Sequence, residues 1–215
     1  MSNENDVSLK EPTRWDKQFA QDDPEKWRRP SRLLAENIHL FGGGVVDDEG
    51  GRKWALDIAC GPGRNSVFLA EHGFIVDAVD NSKTGIEMAR AFAEERGEEV
   101  VENLNLIEAD LGDFEIAPGR YDLIVNFYYL DRGLIPKMAA GLKEGGYLVF
   151  ETFTREHGGF GEKSNPAHYL DPNEILGLVL NVSGGRKFKI LYYREGSTFE
   201  EGLMRGAAQL IARRV

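Results

Sequence analysis

Three acids and two glycines in this sequence have the types and the spacing that suit a nucleotide-like ligand. Asp57, Gly61 and Gly63 lie within one stretch, WALDIACGPGRNSVFLAEHG, and Asp80 and Asp110 follow later in the chain. Glycines allow a backbone to approach a ligand closely, and the unpaired N–H groups at the start of the following helix face the same space. An acid that ends the next strand is the group that holds ribose hydroxyls in such sites. Together these residues predict a site for a cofactor that contains a nucleoside.

Two kinds of nucleoside cofactor could use these residues. A dinucleotide site needs the pattern GxGxxG, but Ser66 stands in the place of the third glycine. Asp57 lies close to the turn, and an anion there would repel a pyrophosphate. The acid is a better match for a cofactor that carries a cationic amino group.

Local patterns place these residues at the ends of predicted β-strands. The apolar run from Trp54 to Ala59 predicts a buried strand, and the apolar residues 67–70 predict a helix that ends at Gly73. Further strands are predicted over residues 74–80, 104–107, 121–127 and 147–153, with helices between them that include one over residues 130–142. Strands that alternate with helices predict a parallel sheet whose ligands bind at the carboxyl ends of the strands.

The pattern changes after Phe153. Residues 154–171 are polar, contain glycine and show no period, which is typical of a lid or a binding loop. A helix is predicted over residues 172–180, and strands are predicted over 187–194 and 203–212, joined by residues 195–202. Because this connection contains no helix, the last two strands should pair antiparallel.

The N-terminal part divides into a tail and a cap. Residues 1–13 predict a disordered tail, and residues 14–215 form the predicted domain, whose first part, about 14–45, is an N-terminal cap. Within the cap, Pro30-Ser31 predicts the start of a helix that ends at the glycines 42–44. The aromatic residues Trp15, Phe19 and Trp27 could form a lid over a ligand or an apolar cap on the core, and the sequence favours the cap.

Length and composition describe one domain of ordinary size. The chain has 215 residues, with 26 lysines and arginines against 36 acids, and its net charge of −10 disfavours broad contact with nucleic acids or anionic membranes. It has no apolar run of the roughly 20 residues that span a bilayer and no export signal, and it has a single cysteine, Cys60. These features predict a cytoplasmic protein. Four scattered histidines and one cysteine give no spacing for a metal site.

The longer pattern LDIACGPGRNSVFLA resembles motif one of the class I S-adenosylmethionine-dependent methyltransferases. The later motifs agree in spacing, namely Val79-Asp80, Ala109-Asp110-Leu111, Tyr121-Asp122-Leu123-Ile124 and Leu142-Lys143-Glu144-Gly145-Gly146. The resemblance covers about residues 30–212. The continuation Gly63-Arg64-Asn65-Ser66, the small size and the aromatic cap are similar to the tellurite-resistance and thiopurine-type enzymes. The implied fold is a single α/β, Rossmann-like domain. Its seven-stranded, mostly parallel sheet has the order 3-2-1-4-5-7-6, with strand 7 antiparallel, and is flanked by helices.

The resemblance also implies which residues bind S-adenosyl-L-methionine. Asp57 and the backbone from Gly61 to Gly63 would hold the methionine part, and Asp80 would hold both ribose hydroxyls. Asp110 would bind the adenine amino group and Leu111 an adenine face or edge, while Asn126 and Phe127 would lie beside the sulfonium. The full predicted set is Asp57, Ala59, Gly61, Gly63, Asn65, Asp80, Asn81, Asp110, Leu111 and Asn126.

The end of the fourth strand, Asn126-Phe127-Tyr128-Tyr129, forms the predicted acceptor side. Amino-group methyltransferases that act on planar nitrogen often carry Asn/Asp-Pro-Pro-aromatic there, and the lack of both prolines disfavours methylation of DNA or glutamine. The candidate catalytic residues are Asn126, Tyr128 and Tyr129. Further candidates on the acceptor side are Arg132, Glu151, Thr154, His157, His168 and Tyr169.

Methyl transfer from a sulfonium depends chiefly on orientation and desolvation of the reactants, so a general base is optional. The sequence therefore predicts an enzyme that methylates a small molecule, either a soft thiol or oxyanion or an amine or hydroxyl. An RNA or protein methyltransferase and a non-catalytic module that binds the cofactor are the alternatives. The sequence leaves open whether the protein is a monomer or a homodimer.

Overall fold

The computed structural model describes residues 11–42, 51–159, 165–200 and 203–215. Its strands are β1 (Trp54–Ile58), β2 (Ile75–Asp80), β3 (Leu104–Glu108), β4 (Tyr121–Phe127), β5 (Leu142–Phe153), β6 (Phe188–Glu200) and β7 (Leu203–Arg214). They form a seven-stranded sheet in the order β3-β2-β1-β4-β5-β7-β6. β7 runs antiparallel to both of its neighbours, and the other pairs are parallel. The fold class implied by the resemblance is confirmed.

Seven α-helices flank the sheet in the described part of the chain. They are α1 (Arg14–Gln21), α2 (Arg32–Phe41), α3 (Arg64–Glu71), α4 (Lys83–Arg96), α5 (Glu98–Glu102), α6 (Leu134–Gly141) and α7 (Glu174–Leu180). Short 3-10 helices cover Pro24–Trp27, Arg155–Gly159 and Pro166–His168. The sequence did not predict α5, which fills the space between Gly97 and β3.

The core forms one layer on each face of the sheet. On β1, Leu56 and Ile58 belong to the layer that contains α6 and α7, and Ala55 belongs to the layer that contains α2, α3 and α4. Successive side chains of a strand point to opposite faces, so a central strand buried on both faces is apolar throughout. Asp57 is the exception on this strand, and it is only 1% exposed. A buried acid at this position needs a partner, which the site provides.

The predicted helix over residues 130–142 is shorter than expected. It begins at Leu134 because the Asp131 carboxylate accepts a hydrogen bond from Gly133 N at 2.8 Å, and Leu134 N donates to Asp131 O at 3.1 Å. An acid that binds the backbone two residues later favours a turn over a helix. The helix also ends earlier, because β5 already begins at Leu142. Similarly, α7 begins at Glu174 rather than at 172, after Asn173 adopts a φ of 61°.

The predicted connection over residues 195–202 is largely strand. β6 continues to Glu200, and its pairing with β7 runs as far as Glu200 opposite Leu203. The antiparallel pairing itself is confirmed. The polar and glycine-bearing composition of residues 195–200 did not reveal the strand, because its hydrogen bonds come from β7.

The N-terminal prediction is tested only in part. Residues 1–10 of the predicted tail, 43–50 between α2 and β1, 160–164 of the polar stretch after Phe153 and 201–202 lie outside the described residues. Thr13, at the end of the predicted tail, caps α1, and its hydroxyl accepts from Asp16 N at 3.0 Å. α2 ends at Gly42, as predicted, with a φ of 66°. In the part of the chain that the structure describes, no helix has the length and apolar character needed to cross a membrane.

Candidate active site

The turn between β1 and α3 is shaped by residues in the left-handed backbone region. Ala59, Gly61 and Gly63 have φ values of 55°, 52° and 82°. Cys60 N donates to Val79 O at 3.0 Å and Gly63 N donates to Cys60 O at 3.1 Å, so the turn is fastened to β2 and to itself. This geometry leaves the start of α3 directed at the carboxyl edge of the sheet, where the sequence predicted a ligand.

Gly63 is required by space as well as by backbone conformation. A Cβ at this position would lie 2.6 Å from the Ala89 Cβ of α4. We expect Gly63→Ala to destabilise the fold by more than the roughly 1–2 kcal/mol that a left-handed residue costs. Gly119→Ala is the matched control, because Gly119 has a φ of 63° and a Cβ there would meet nothing within 4 Å. Urea unfolding of both variants checks this, and equal losses would show that α4 moves aside at no cost.

Asp80 ends β2 and is bound to the glycine turn. Its Oδ2 accepts from Gly61 N at 2.7 Å and its Oδ1 accepts from Ser82 N at 2.8 Å. Burial raises the pKa of this carboxyl, while the hydrogen bonds from the Ser82 and Gly61 backbone oppose that rise. Each carboxylate oxygen has more than one lone pair, so the group can still accept from a ligand hydroxyl.

Asp57 lies beneath the same turn. Its Oδ2 accepts from the Ser66 hydroxyl of α3 at 2.5 Å. Burial raises the pKa of Asp57 to about 7, and the Ser66 hydrogen bond and the charge of Arg64 only partly offset that effect. Ser66, which replaces the third glycine of a dinucleotide pattern, is therefore the partner that this buried acid uses.

Asn126 is the buried polar side chain that most clearly lacks a protein partner. It lies on β4 opposite Ile58 of β1 and Phe150 of β5, and it is 0% exposed. Neither its Oδ1 nor its Nδ2 has a hydrogen-bond partner among the described residues. A buried amide without partners costs about 1–3 kcal/mol, and native structures seldom retain one without a reason. A polar ligand at the carboxyl edge of β1 and β4 would supply the missing partner.

The remaining predicted cofactor residues lie around this edge. Ala109 N donates to Asp80 O at 2.9 Å, which carries the chain from β3 to Asp110. Asp110 is exposed and its Oδ1 accepts from Gly112 N at 2.8 Å, whereas Leu111 is 5% exposed and packs in the core. Asn81 is exposed. Asn65 is buried and its Oδ1 accepts from Ser31 N at 2.8 Å, so this oxygen fastens α3 to α2. The cofactor contacts of all these residues stay predictions.

The N-terminal aromatic cluster covers the glycine turn. A Cβ at Gly61 would lie 3.2 Å from the Phe19 Cζ, and Phe19 is 6% exposed between Trp15 and Trp27, with ring centroids at 5.6 and 5.3 Å. Asp16 on the same helix accepts from the Ser82 hydroxyl at 2.7 Å and from Thr84 N at 2.9 Å. The cluster therefore packs on the glycine turn, and its role as an apolar cap on the core stays a prediction. The sequence prediction did not include α1, although Thr13-x-x-Asp16 is a capping pattern, and no sequence feature gives the packing partner of this helix.

Tyr128 and Glu151 contact each other on the predicted acceptor side. The Tyr128 hydroxyl donates to Glu151 Oε1 at 2.5 Å, and Arg205 donates to the Tyr128 hydroxyl at 3.3 Å. Phe153 packs on the Tyr128 ring at 4.8 Å and on the His157 ring at 3.9 Å. Burial, followed by the charge of Arg205, lowers the pKa of His157, which favours the neutral imidazole.

The other candidates on the predicted acceptor side differ in their burial and in their partners. Thr154 is 2% exposed and its hydroxyl has no partner among the described residues, and the Tyr169 ring lies 6.1 Å from His157. Tyr129 is half-buried, and its pKa is raised first by burial and then by nearby carboxylates. Arg132 instead pairs with Glu174 and donates to two loop carbonyls, and His168 is exposed. Sequence reasoning missed Arg205 and Gln209, because no local pattern marks them, and it assigned Ser31 only to the start of a helix.

Comparison with known proteins agrees with this geometry. Residues 55–146 match the family model described as a methyltransferase domain. The ubiquinone biosynthesis O-methyltransferase of Coxiella burnetii is 34% identical over 108 residues, which cover 48% of this chain and 44% of that protein. TehB of Haemophilus influenzae is 38% identical over 101 residues, which cover 43% and 33% of the two chains. The chain thus spans less than half the length of these curated relatives.

Solved structures show the same fold. The crystal structure of TehB from Haemophilus influenzae has a TM-score of 0.61 and 20% identity, and the match covers 84% of this chain and 60% of that one. Haemonchus contortus phosphoethanolamine N-methyltransferase 1, in complex with phosphoethanolamine and S-adenosylhomocysteine, has a TM-score of 0.67 and 18% identity, over 94% and 47% of the two chains.

The residues of this chain fit S-adenosylmethionine. The glycine turn leaves room for the backbone to approach a ligand, Asp80 can accept from hydroxyls, and Asp57 can attract an ammonium group. The amide of Asn126 lacks a partner at the same edge. Residues 55–146 are similar to the methyltransferase domain family, and the fold of the chain is that of the solved methyltransferase structures described above.

Proposed function

We propose that this chain transfers a methyl group from S-adenosylmethionine to a small-molecule acceptor. The observation that carries the proposal is Asn126, whose buried amide lacks a partner among the described residues at the strand edge between the glycine turn and Tyr128. A side chain of this kind is costly unless a ligand completes its hydrogen bonds.

The protein's part in the reaction is binding, orientation and exclusion of water. Asp80 would hold the ribose hydroxyls of the cofactor, Asp57 and the backbone from Gly61 to Gly63 would hold its methionine part, and Asp110 with Leu111 would bind the adenine. The cofactor supplies a methyl group that is already activated by its sulfonium. Asn126 and Tyr128 then need only hold the acceptor in line and keep water out.

A small acceptor is favoured over RNA by the net charge of −10 and by the acids near Tyr129, although the guanidiniums of Arg64 and Arg205 lie near the Tyr128 ring. Burial, followed by the charges of Asp131, Asp110 and Asp80, raises the pKa of Tyr129. A nucleic-acid site would need a basic face there. Two of the proteins named above have names that refer to small molecules, namely the ubiquinone biosynthesis O-methyltransferase and the phosphoethanolamine N-methyltransferase. A protein acceptor and a non-catalytic module stay alternatives.

Two measurements test the proposal. Calorimetry with S-adenosylhomocysteine should show binding with one site per chain. A screen should then measure release of S-adenosylhomocysteine from S-adenosylmethionine with phenols, thiols, selenium and tellurium oxyanions, small amines and total RNA. Turnover with a small molecule supports the proposal. Turnover with RNA alone would show that RNA, and not a small molecule, is the acceptor. The absence of cofactor binding refutes the proposal.

The affinity for the cofactor should depend on pH through Asp57. Since burial raises the pKa of Asp57 to about 7, much of this carboxyl is protonated at pH 6, and only the ionised form attracts an ammonium group. Affinity for S-adenosylhomocysteine should therefore increase with pH, by up to about tenfold between pH 6.0 and 7.5. Calorimetry at each pH measures this. Asp57→Asn should bind more weakly and without this slope, and an unchanged slope would assign the titration to another group.

A further inference from the structure

Tyr128 holds an unusual backbone conformation next to Asn126. Its φ is 60°, and among the described residues only Ala59 and Asn173 share a positive φ without being glycine. A bulky side chain seldom adopts this region. Such a conformation persists only where the surrounding structure holds it, and these positions concentrate at functional sites.

Glu151 holds Tyr128 at both ends. Tyr128 N donates to the Glu151 backbone carbonyl at 2.8 Å, which continues the pairing of β4 with β5. The Tyr128 hydroxyl donates to Glu151 Oε1 at 2.5 Å. Glu151 is 0% exposed, so water does not compete for this carboxylate. One residue thus fixes both the backbone and the ring tip of Tyr128.

The other oxygen of the carboxylate is also bound. Gln209, which lies opposite Glu151 on β7, donates from Nε2 to Glu151 Oε2 at 3.1 Å. The Ser31 hydroxyl, at the start of α2, lies 3.4 Å from the same oxygen. Four elements therefore meet at this carboxylate, namely α2, β4, β5 and β7.

The ring of Tyr128 faces groups from both sides of the site. The Arg64 guanidinium, at the first residue of α3 after the glycine turn, lies 5.8 Å from the ring centroid. The Arg205 guanidinium of β7 lies 5.5 Å from it. The ring therefore stands between the glycine turn and the antiparallel end of the sheet, two residues beyond Asn126.

We infer that Glu151 is a positioning residue for methyl transfer, which fixes the Tyr128 ring as a wall of the acceptor site beside Asn126. The inference rests on the proposed function, because the acceptor site belongs to it. Glu151 itself need not touch the acceptor. Its effect passes through the position of Tyr128.

Three variants separate this role from general stability. Glu151→Leu removes the hydrogen bonds of the carboxylate, Glu151→Gln keeps the volume and one acceptor oxygen, and Tyr128→Phe removes only the hydroxyl. Asp77→Asn is the matched control, since Asp77 is 6% exposed and accepts from the Tyr121 hydroxyl at 2.8 Å. Tyr121 begins β4, about 20 Å from its far end at roughly 3.3 Å per residue.

Crystal structures and binding data test the inference without a known acceptor. Glu151→Leu keeps the backbone carbonyl that binds Tyr128 N but removes the acceptor of the Tyr128 hydroxyl, so the Tyr128 ring should move from its present position, whereas in Asp77→Asn it should stay there. The affinity for S-adenosylhomocysteine should change by less than twofold in every variant. A Tyr128 that keeps its place in Glu151→Leu overturns the inference. If the wild-type protein does not bind S-adenosylhomocysteine, the proposed function is refuted. The comparison of the Tyr128 position between the variants stays valid in that case.

Kinetics with an acceptor from the screen give the second readout. Glu151→Leu and Tyr128→Phe should each lower kcat by about 10- to 100-fold, and the double variant should be no slower than the slower single variant. Glu151→Gln should retain part of the kcat that Glu151→Leu loses. It also takes the place of Glu151→Leu in the comparison if the leucine variant does not fold. Asp77→Asn should lower the melting temperature with kcat unchanged. Additive losses, or an equal fall of kcat in Asp77→Asn, would show a merely structural role.

Discussion

Replacing Asp80 with alanine is expected to weaken the binding of S-adenosylhomocysteine by about 1–3 kcal/mol, or roughly 5- to 150-fold. The substitution removes the charged acceptor for the ribose hydroxyls. It also leaves Gly61 N and Ser82 N without the carboxylate oxygens that they bind at 2.7 and 2.8 Å. Both the ligand contact and the shape of the glycine turn are therefore lost together.

Calorimetry on two further variants separates these effects. Asp80→Asn keeps one acceptor oxygen for the turn but loses the charge, so its affinity should lie between those of the wild type and Asp80→Ala. Asp77→Asn alters another buried carboxylate on the same strand, which binds Tyr121 and Asn105 away from the site, and should leave affinity unchanged. An unchanged affinity in Asp80→Ala would show that Asp80 serves only the fold.

Replacing Asn126 with leucine is expected to stabilise the protein and abolish most of its activity. The leucine would replace an amide that is 0% exposed and has no partner among the described residues, which should raise the free energy of unfolding by about 1 kcal/mol. The same change removes the polar group beside the predicted sulfonium. Loss of one preorganised polar group costs roughly 10²- to 10³-fold in rate. Residues at functional sites often lower the stability of a protein in this way.

Asn103→Leu is the control for Asn126. Asn103 is 1% exposed, but its amide is satisfied, since Nδ2 donates to Ala70 O at 3.2 Å and Oδ1 accepts from Arg52. Its replacement should destabilise the protein and leave methyl transfer unchanged. Urea unfolding and single-turnover transfer, measured on both variants, give the comparison. A loss of stability in Asn126→Leu with full activity would make Asn126 an ordinary core residue.

The sequence by itself determined the framework of the site. Apolar periodicity located most of the strands and helices, and the glycines and acids marked their ends, because these signals depend on residues a few positions apart. The motif resemblance supplied the strand order, which periodicity does not contain. The errors at the start of α6 and in the connection after β6 arose where a side chain or a distant strand, rather than the local pattern, provided the hydrogen bonds.

Only the tertiary structure decided which groups surround Tyr128, Glu151 and the glycine turn. Arg205 meets Tyr128 across 77 positions, Ser31 meets Glu151 across 120, and Asp16 meets Ser82 across 66. These contacts depend on the register of β5 with β7 and on where the N-terminal helices pack against the sheet. Neither the strand register nor the packing of the helices leaves a periodic signal in the chain. The sequence pattern around these residues is therefore that of ordinary surface or loop positions. The strand-end acids could be predicted because chain order places them, whereas the partners of Tyr128 are set by packing between distant elements.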